Sequence, residues 1–511
     1  MAPIMADVTI ASSRRTVRHS FRLRGGGLGL ALLLSCLLLP PSAPACVVGT
    51  GMGASCVQSA LNACLPGGGS FDGTVTFNCG GAATITVTST KTISTDTTID
   101  GGSLITISGG NSVSVFSVNT GVTFTVQNLT IANGNSTSYG GGIANNGTLT
   151  VTNSTFSGNS ASGLGGGIAN GGINDDGSIM SGGTVMVTNS TFTGNSASVS
   201  PGGGGAIGNL FGTLTVTNSI FSGNSVASGG GGISGNVGTV TIIDSTFSGN
   251  SAGKSGGGIS SDATDGATTL TVTNSTFFGN SGGKNGGGGI AIHGGALTVT
   301  TNSTFSGNSA SSGGGIYNDT EGTLIVTNTI IANSTSGGNC SGAVTDGGRN
   351  IDDGTTCGFT GTGCATTTGT SFCNTNPVLD PTGLQNNGGP TQTIALQATS
   401  AAVDAGDETV CSMTTGAAPV NNLDQRGFVR PGAGHTHCSI GAYEFNSPGP
   451  PCVGDCGGNE QVTVDELLIM INIALGNPGT CSAGDANHDN QITVDEIITA
   501  INNALGGCPP Q

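Results

Sequence analysis

The chain has no tryptophan, and only 4% of its 511 residues are aromatic. Charge is almost as scarce: 8% of residues are Asp, Glu, Lys or Arg, and only 11 of those are basic. Five of the basic residues (Arg14, Arg15, Arg18, Arg22 and Arg24) stand together ahead of the apolar run 25–39 and a small-residue site at Ala43-Pro44-Ala45. That order reads as a secretory signal over residues 1–45. Its removal leaves 6 Lys and Arg against 27 Asp and Glu, a net charge of −21. A chain this acidic lacks the electrostatic footprint of a nucleic-acid binder. No later apolar run is long enough to span a bilayer, so the expected mature chain is secreted or on the cell surface without a transmembrane span.

Cysteine is absent between Cys79 and Cys340, although fourteen follow Cys36. They fall into local groups: Cys46 to Cys79, Cys340 to Cys373, Cys411 with Cys438, and Cys452 to Cys508. In an exported chain such groups predict disulfides that staple the ends while the middle supports itself.

What fills the middle is repetition. The words TLTVTN and STFSGN recur with GGGI between them, and an anchor residue returns at Ile131, Phe156, Phe192, Phe221, Phe247, Phe277, Phe305 and Ile331. A fixed period of 25 to 36 residues marks a solenoid. Apolar residues alternate with Thr at the strand period, and Gly and Asn punctuate the joins. The fold class is therefore all-β: a right-handed parallel β-helix of roughly ten coils, each built from three short strands. The Phe column reads as a core ladder. Asn153-Ser154-Thr155 and its copies match a glycosylation sequon, but they sit where a coil turns, and an internal Asn stack is the expectation there. The domains read as a signal at 1–45, an N-terminal cap and first coils at 46–120, repeats at 121–340, a C-terminal cap at 341–447 and a calcium-binding pair at 448–511.

GGGI paired with FSGN resembles the GGAI and FxxN words of the chlamydial polymorphic outer-membrane protein repeats, which implies a right-handed β-helix. Asn376-Pro377, the run from Asp380 to Pro390, Asp424-Gln425-Arg426-Gly427 and Ile440-Gly441-Ala442-Tyr443-Glu444 resemble a choice-of-anchor module. That likeness implies a β-helix cap on an exported bacterial protein, with Asp424 and Arg426 as a structural pair.

The strongest chemical signal is a duplication near the C-terminus. Asp485, Asn487, Asp489, Gln491 and Glu496 occupy positions 1, 3, 5, 7 and 12 of an EF-hand-like loop. Ca²⁺ takes oxygen ligands at that spacing. Thirty residues earlier Asp455, Asn459, Gln461 and Glu466 repeat positions 1, 5, 7 and 12, with Gly457 supplying no side-chain oxygen at position 3. Each loop precedes an apolar-periodic helix. The pair resembles a dockerin, which implies bound Ca²⁺ and a cohesin-like partner.

Within the repeats, Lys254, Lys284 and His293 are the basic candidates, and Asp175, Asp176, Asp244, Asp262, Asp265, Asp319 and Glu321 the acids. They do not assemble an acid, a base and an aromatic platform by spacing alone. The expected function is non-catalytic adhesion or surface binding. The alternative is a polysaccharide-active lyase or hydrolase tethered through the terminal module.

Overall fold

A computed structural model describes residues 11–12, 15–16, 45–173, 179–180, 182–198, 203–264, 266–284, 286–447, 449, 452–459, 461–485 and 491–508. Residues Met1–Pro44 and Ala45–Gln511 are separate units. In the first, Ala11–Ser12 pairs antiparallel with Arg15–Thr16.

The second unit is a parallel β-solenoid of about eleven turns. Each coil contributes an IAN-type strand, a TLTVT-type strand and a TFS-type strand, exemplified by Ile143–Asn145, Thr148–Thr152 and Thr155–Ser157. Each pairs in parallel with its copy one coil later: Ile143 with Ile168, Leu149 with Val185, Phe156 with Phe192. A fourth column of residue pairs such as Ser160–Ala161 follows the FSGN corner. The parallel ladder runs past residue 340: Ile316 pairs with Cys340, Ile330 with Ile351, and Ile351 with Phe372.

Strand alternation sets what lies inside. In Thr148–Thr152, Leu149 and Val151 are buried and the three threonines are partly exposed. The anchor column from Ile131 to Ile331 is wholly buried. Its six phenylalanines stack with ring centroids 4.5 to 4.9 Å apart and planes within 10°. That separation is the strand spacing itself, which holds the rings face to face. The GGGI word follows from crowding, since a Cβ on Gly166 would lie 2.3 Å from the Ser196 carbonyl oxygen and one on Gly205 2.1 Å from that of Gly231.

The internal Asn stack exists, but the sequon asparagines do not form it. Asn153 and Asn189 are exposed and sit at φ 48° and 49°, a conformation Asn tolerates better than other side chains. The stack belongs to the asparagine of FSGN. Asn159, Asn195, Asn224, Asn250, Asn280 and Asn308 are fully buried, and the Nδ2 of each of the first five donates to the Oδ1 of the next at 2.9 to 3.0 Å. The second amide hydrogen goes to a Phe-column carbonyl, as in Asn195 to Phe156. Buried amides satisfied at both hydrogens add stability instead of costing it.

The ends are stapled within the expected cysteine groups. Cys46 bonds Cys64 and Cys56 bonds Cys79 around helix α1 (Gln58–Cys64), where Leu61 is buried. Cys340–Cys357 and Cys364–Cys373 close the far coils, and Cys411, the last residue of the short helix α2 (Glu408–Cys411), bonds Cys438 against the corners at Asn302 and Asn328. Residues 377–445 then lie as a strap across the corners of four coils. Thr246 donates to the Gln392 carbonyl, Thr273 to Ala418, Asn274 to Leu423, and Gly441 to Asn328.

Candidate functional site

The terminal loops each close onto a helix start. Helix α3 (Val464–Ala474) begins with a capping box in which Thr463 accepts from the Glu466 N–H and Glu466 Oε2 accepts from the Thr463 N–H at 2.8 Å. Helix α4 (Val494–Gly506) repeats this with Thr493 and Glu496. The box fixes the position-12 carboxylate at the loop mouth. Cys452–Cys508 and Cys456–Cys481 tie the pair together around Val453, Val462, Met470 and Ala500.

Asp455 and Glu466 are both buried. A Cβ placed on Gly457 would lie 3.1 Å from Glu466 Oε1 and 3.9 Å from Asp455 Oδ1, so both carboxylates face position 3 of the loop. Asn459 turns its N–H onto Asp455 Oδ1 at 3.0 Å, and Gln461 its N–H onto Asn459 Oδ1 at 3.1 Å. The Thr463 N–H holds the Glu466 carboxyl below its usual range, against partial burial and the Asp455 charge. In the second loop Asp485, Gln491 and Glu496 are described, and Glu496 is buried. Asn487 and Asp489 lie outside the described residues. Among the described residues no three His, Cys, Asp or Glu side chains converge as a metal group.

The donor chemistry of these loops suits Ca²⁺. It consists of oxygen atoms alone, and all fourteen cysteines from Cys46 to Cys508 are in disulfides. Thiolate metal binding is thereby closed off, whereas buried oxygen donors are what a hard cation takes.

The terminal helices carry a second feature. Val464, Leu468 and Ile471 on α3 and Leu475 at its C-cap are exposed, and so are Val494, Ile498, Ile501 and Leu505 on α4. Both sets follow the same spacing of four, three and four residues, which is one face of a helix.

Of the repeat candidates, the structure brings together His293, Asp319 and Tyr317. His293 Nδ1 is 3.8 Å from Asp319 Oδ2, and the His293 and Tyr317 rings are 5.5 Å apart. Desolvation opposes ionisation of Asp319, but the N–H groups of Gly294, Glu321 and Gly322, with His293, outweigh it and keep the carboxyl low. Asp262 pairs in register with His293. Lys254 and Lys284 are exposed, and Asp175, Asp176 and Asp265 lie outside the described residues.

Asp424 and Arg426 form a buried pair inside the strap. Arg426 Nε and Nη2 reach Asp424 Oδ2 at 2.8 and 2.6 Å, and the guanidinium lies between the rings of Phe428 and Tyr443 at 3.9 and 3.7 Å. Arg430 donates to Glu444, Ser439, Gly441 and Leu423. Every donor of this kind that is occupied by backbone is unavailable to a substrate, so the network is the strap's own core.

Two features escaped the motif reading. The strap covers Asp244, Asn274, Asn302 and Asn328, the corner residues of four successive repeats, while the corners at Asn153 and Asn189 stay open. In addition, Thr298 and Thr300 point inward where other repeats carry Leu and Val.

A family-level comparison matches residues 244–262 and 302–319 to the Chlamydia polymorphic membrane protein repeat. Those spans hold Phe247, Asn250, Phe305 and Asn308 of the two internal ladders, together with Ile259 and Ile316. Searches among curated proteins and among solved structures return no match. No helix among the described residues is long and apolar enough to cross a membrane. The solenoid and the matched spans together fit a β-helix repeat protein of the polymorphic membrane protein type.

Proposed function

We propose that this chain is a secreted or surface-associated, non-catalytic right-handed β-helix that acts by binding, and that its C-terminal loop pair holds Ca²⁺ and presents a docking face. The repeat match on a parallel solenoid carries the surface reading. The convergence of Asp455 and Glu466 on position 3 supports the calcium reading. Asp455, Asn459, Gln461 and Glu466 would hold one ion, and Asp485, Asn487, Asp489, Gln491 and Glu496 the other. When bound, Ca²⁺ neutralises two clusters of carboxylates and fixes each loop against its helix. The exposed stripes on α3 and α4 would then meet a cohesin-like or other cell-surface partner.

Calorimetric titration of the whole chain with Ca²⁺ is expected to show two sites, the Asp485 loop binding more tightly. Glu496→Gln removes one and Glu466→Gln the other. A flat thermogram for the unsubstituted chain would refute the calcium reading. Incubation with a panel of acidic and neutral polysaccharides is expected to release no product, and any new reducing or unsaturated ends would revive the enzymatic alternative.

A further inference from the structure

The strap meets the solenoid along one row of corners. Asp244, Asn274, Asn302 and Asn328 all sit at φ between 46° and 50°. Three of them grip the strap through Nδ2: Asn274 to the Leu423 carbonyl at 3.0 Å, Asn302 to Cys411 Sγ at 3.3 Å, and Asn328 to the Asp407 carbonyl at 3.2 Å. The fourth is an acid and cannot donate when ionised. Asp244 Oδ1 is buried with no hydrogen-bond partner. Around it the strap is attached by Thr391 Oγ1, which donates to the Asp244 carbonyl at 3.0 Å, and by the Gln392 carbonyl, which accepts from Thr246 Oγ1 at 2.6 Å.

Three groups face the carboxyl. The solenoid supplies the Asn274 carboxamide, and the strap supplies Asp424 and Arg430. Asp424 is committed to Arg426, and Arg430 to Glu444. Neither strap charge is therefore arranged as a dedicated partner for an Asp244 anion.

We propose that Asp244 is a proton-operated latch for the strap: protonated, it lets the edge around residues 391–425 seal against the solenoid, and ionised, it loosens that edge. Burial pushes the Asp244 carboxyl up to about 7, with Asn274 and Arg430 opposing and Asp424 adding to the rise. The sealed state thus keeps a proton that the open state, with an ordinary carboxyl near 4, releases. Sealing is strongest below about pH 4, weakens as pH rises towards 7, and levels off above it.

Hydrogen exchange of the whole chain, corrected for the intrinsic pH dependence, tests this directly. Protection of segments spanning Thr391 and Leu423 is expected to fall about tenfold per pH unit between roughly pH 4.5 and 6.5. In Asp244→Asn, which installs the residue of the neighbouring corners, the dependence should shrink to less than about twofold per unit. His435 and His437 flank Asp404 on the same strap at 4.0 and 3.6 Å, so a His435→Gln/His437→Gln variant is the control. It should behave as the unsubstituted chain does. A flat profile in the unsubstituted chain, a steep one in Asp244→Asn, or its loss in the double-histidine variant would each overturn the proposal.

Discussion

Phe247→Ala is expected to lower stability by about 4 kcal/mol, the middle of the range for a buried aromatic. The ring is fully buried and stacks on both sides, 4.7 Å from Phe221 and 4.8 Å from Phe277, with planes within 5°. Truncation removes the apolar burial, leaves a void, and breaks two stacking contacts. Neighbouring coils cannot close the void, because their strand spacing is fixed by backbone hydrogen bonds. Phe305 supplies the comparison. It is equally buried, but it stacks only on Phe277, and its other neighbour in register is Ile331. Phe305→Ala should therefore cost about 1 kcal/mol less than Phe247→Ala. Guanidinium unfolding followed by circular dichroism reads both. Equal losses would mean that the stack adds nothing beyond burial. Since coils interact mainly with their neighbours, a weakened central coil should also split the transition in two.

The Phe column could be read from spacing because one large apolar residue per coil must go inside, and its period alone gives the stack. Asparagine was harder. Most repeats carry one at the TLTVTN corner and one after FSG, both beside small residues. Period does not say which is interior. Position on the coil decides: Asn153 falls at an outward corner needing positive φ, while Asn159 follows Gly158, itself at φ 61°, and turns inward. The strap was invisible for a different reason. Residues 377–445 have no period, and their attachment depends on contacts about 150 residues away in sequence, such as Thr276 to Gln425. The EF-hand-like spacing reads as a calcium motif, and the structure sets Asp455 and Glu466 against the same loop position.

The misplaced threonines lead to the largest expected gain in stability. The word before STF is TLTVTN at 148–153 and 269–274, but here the chain reads ALTVTTN over residues 296–302. One extra residue shifts the alternation, and a shift of one exchanges the two faces of a strand. The STF anchor keeps its place, with Thr304 beside Thr276 and Phe305 beside Phe277, so the mismatch falls on the strand before it. Thr298 lies between Leu270 and Leu324, and Thr300 between Val272 and Val326. Both hydroxyls are buried without hydrogen-bond partners. Leu297, which belongs inside, is instead exposed. An unsatisfied buried hydroxyl costs about 1–3 kcal/mol. Thr298→Val with Thr300→Val keeps the volume and removes both, so the pair should stabilise the chain by about 3 kcal/mol. Deleting Thr301 restores the common frame by a different route and should act in the same direction. If neither variant unfolds at higher denaturant than the parent, the two hydroxyls have partners in solution, and the strand is not mismatched.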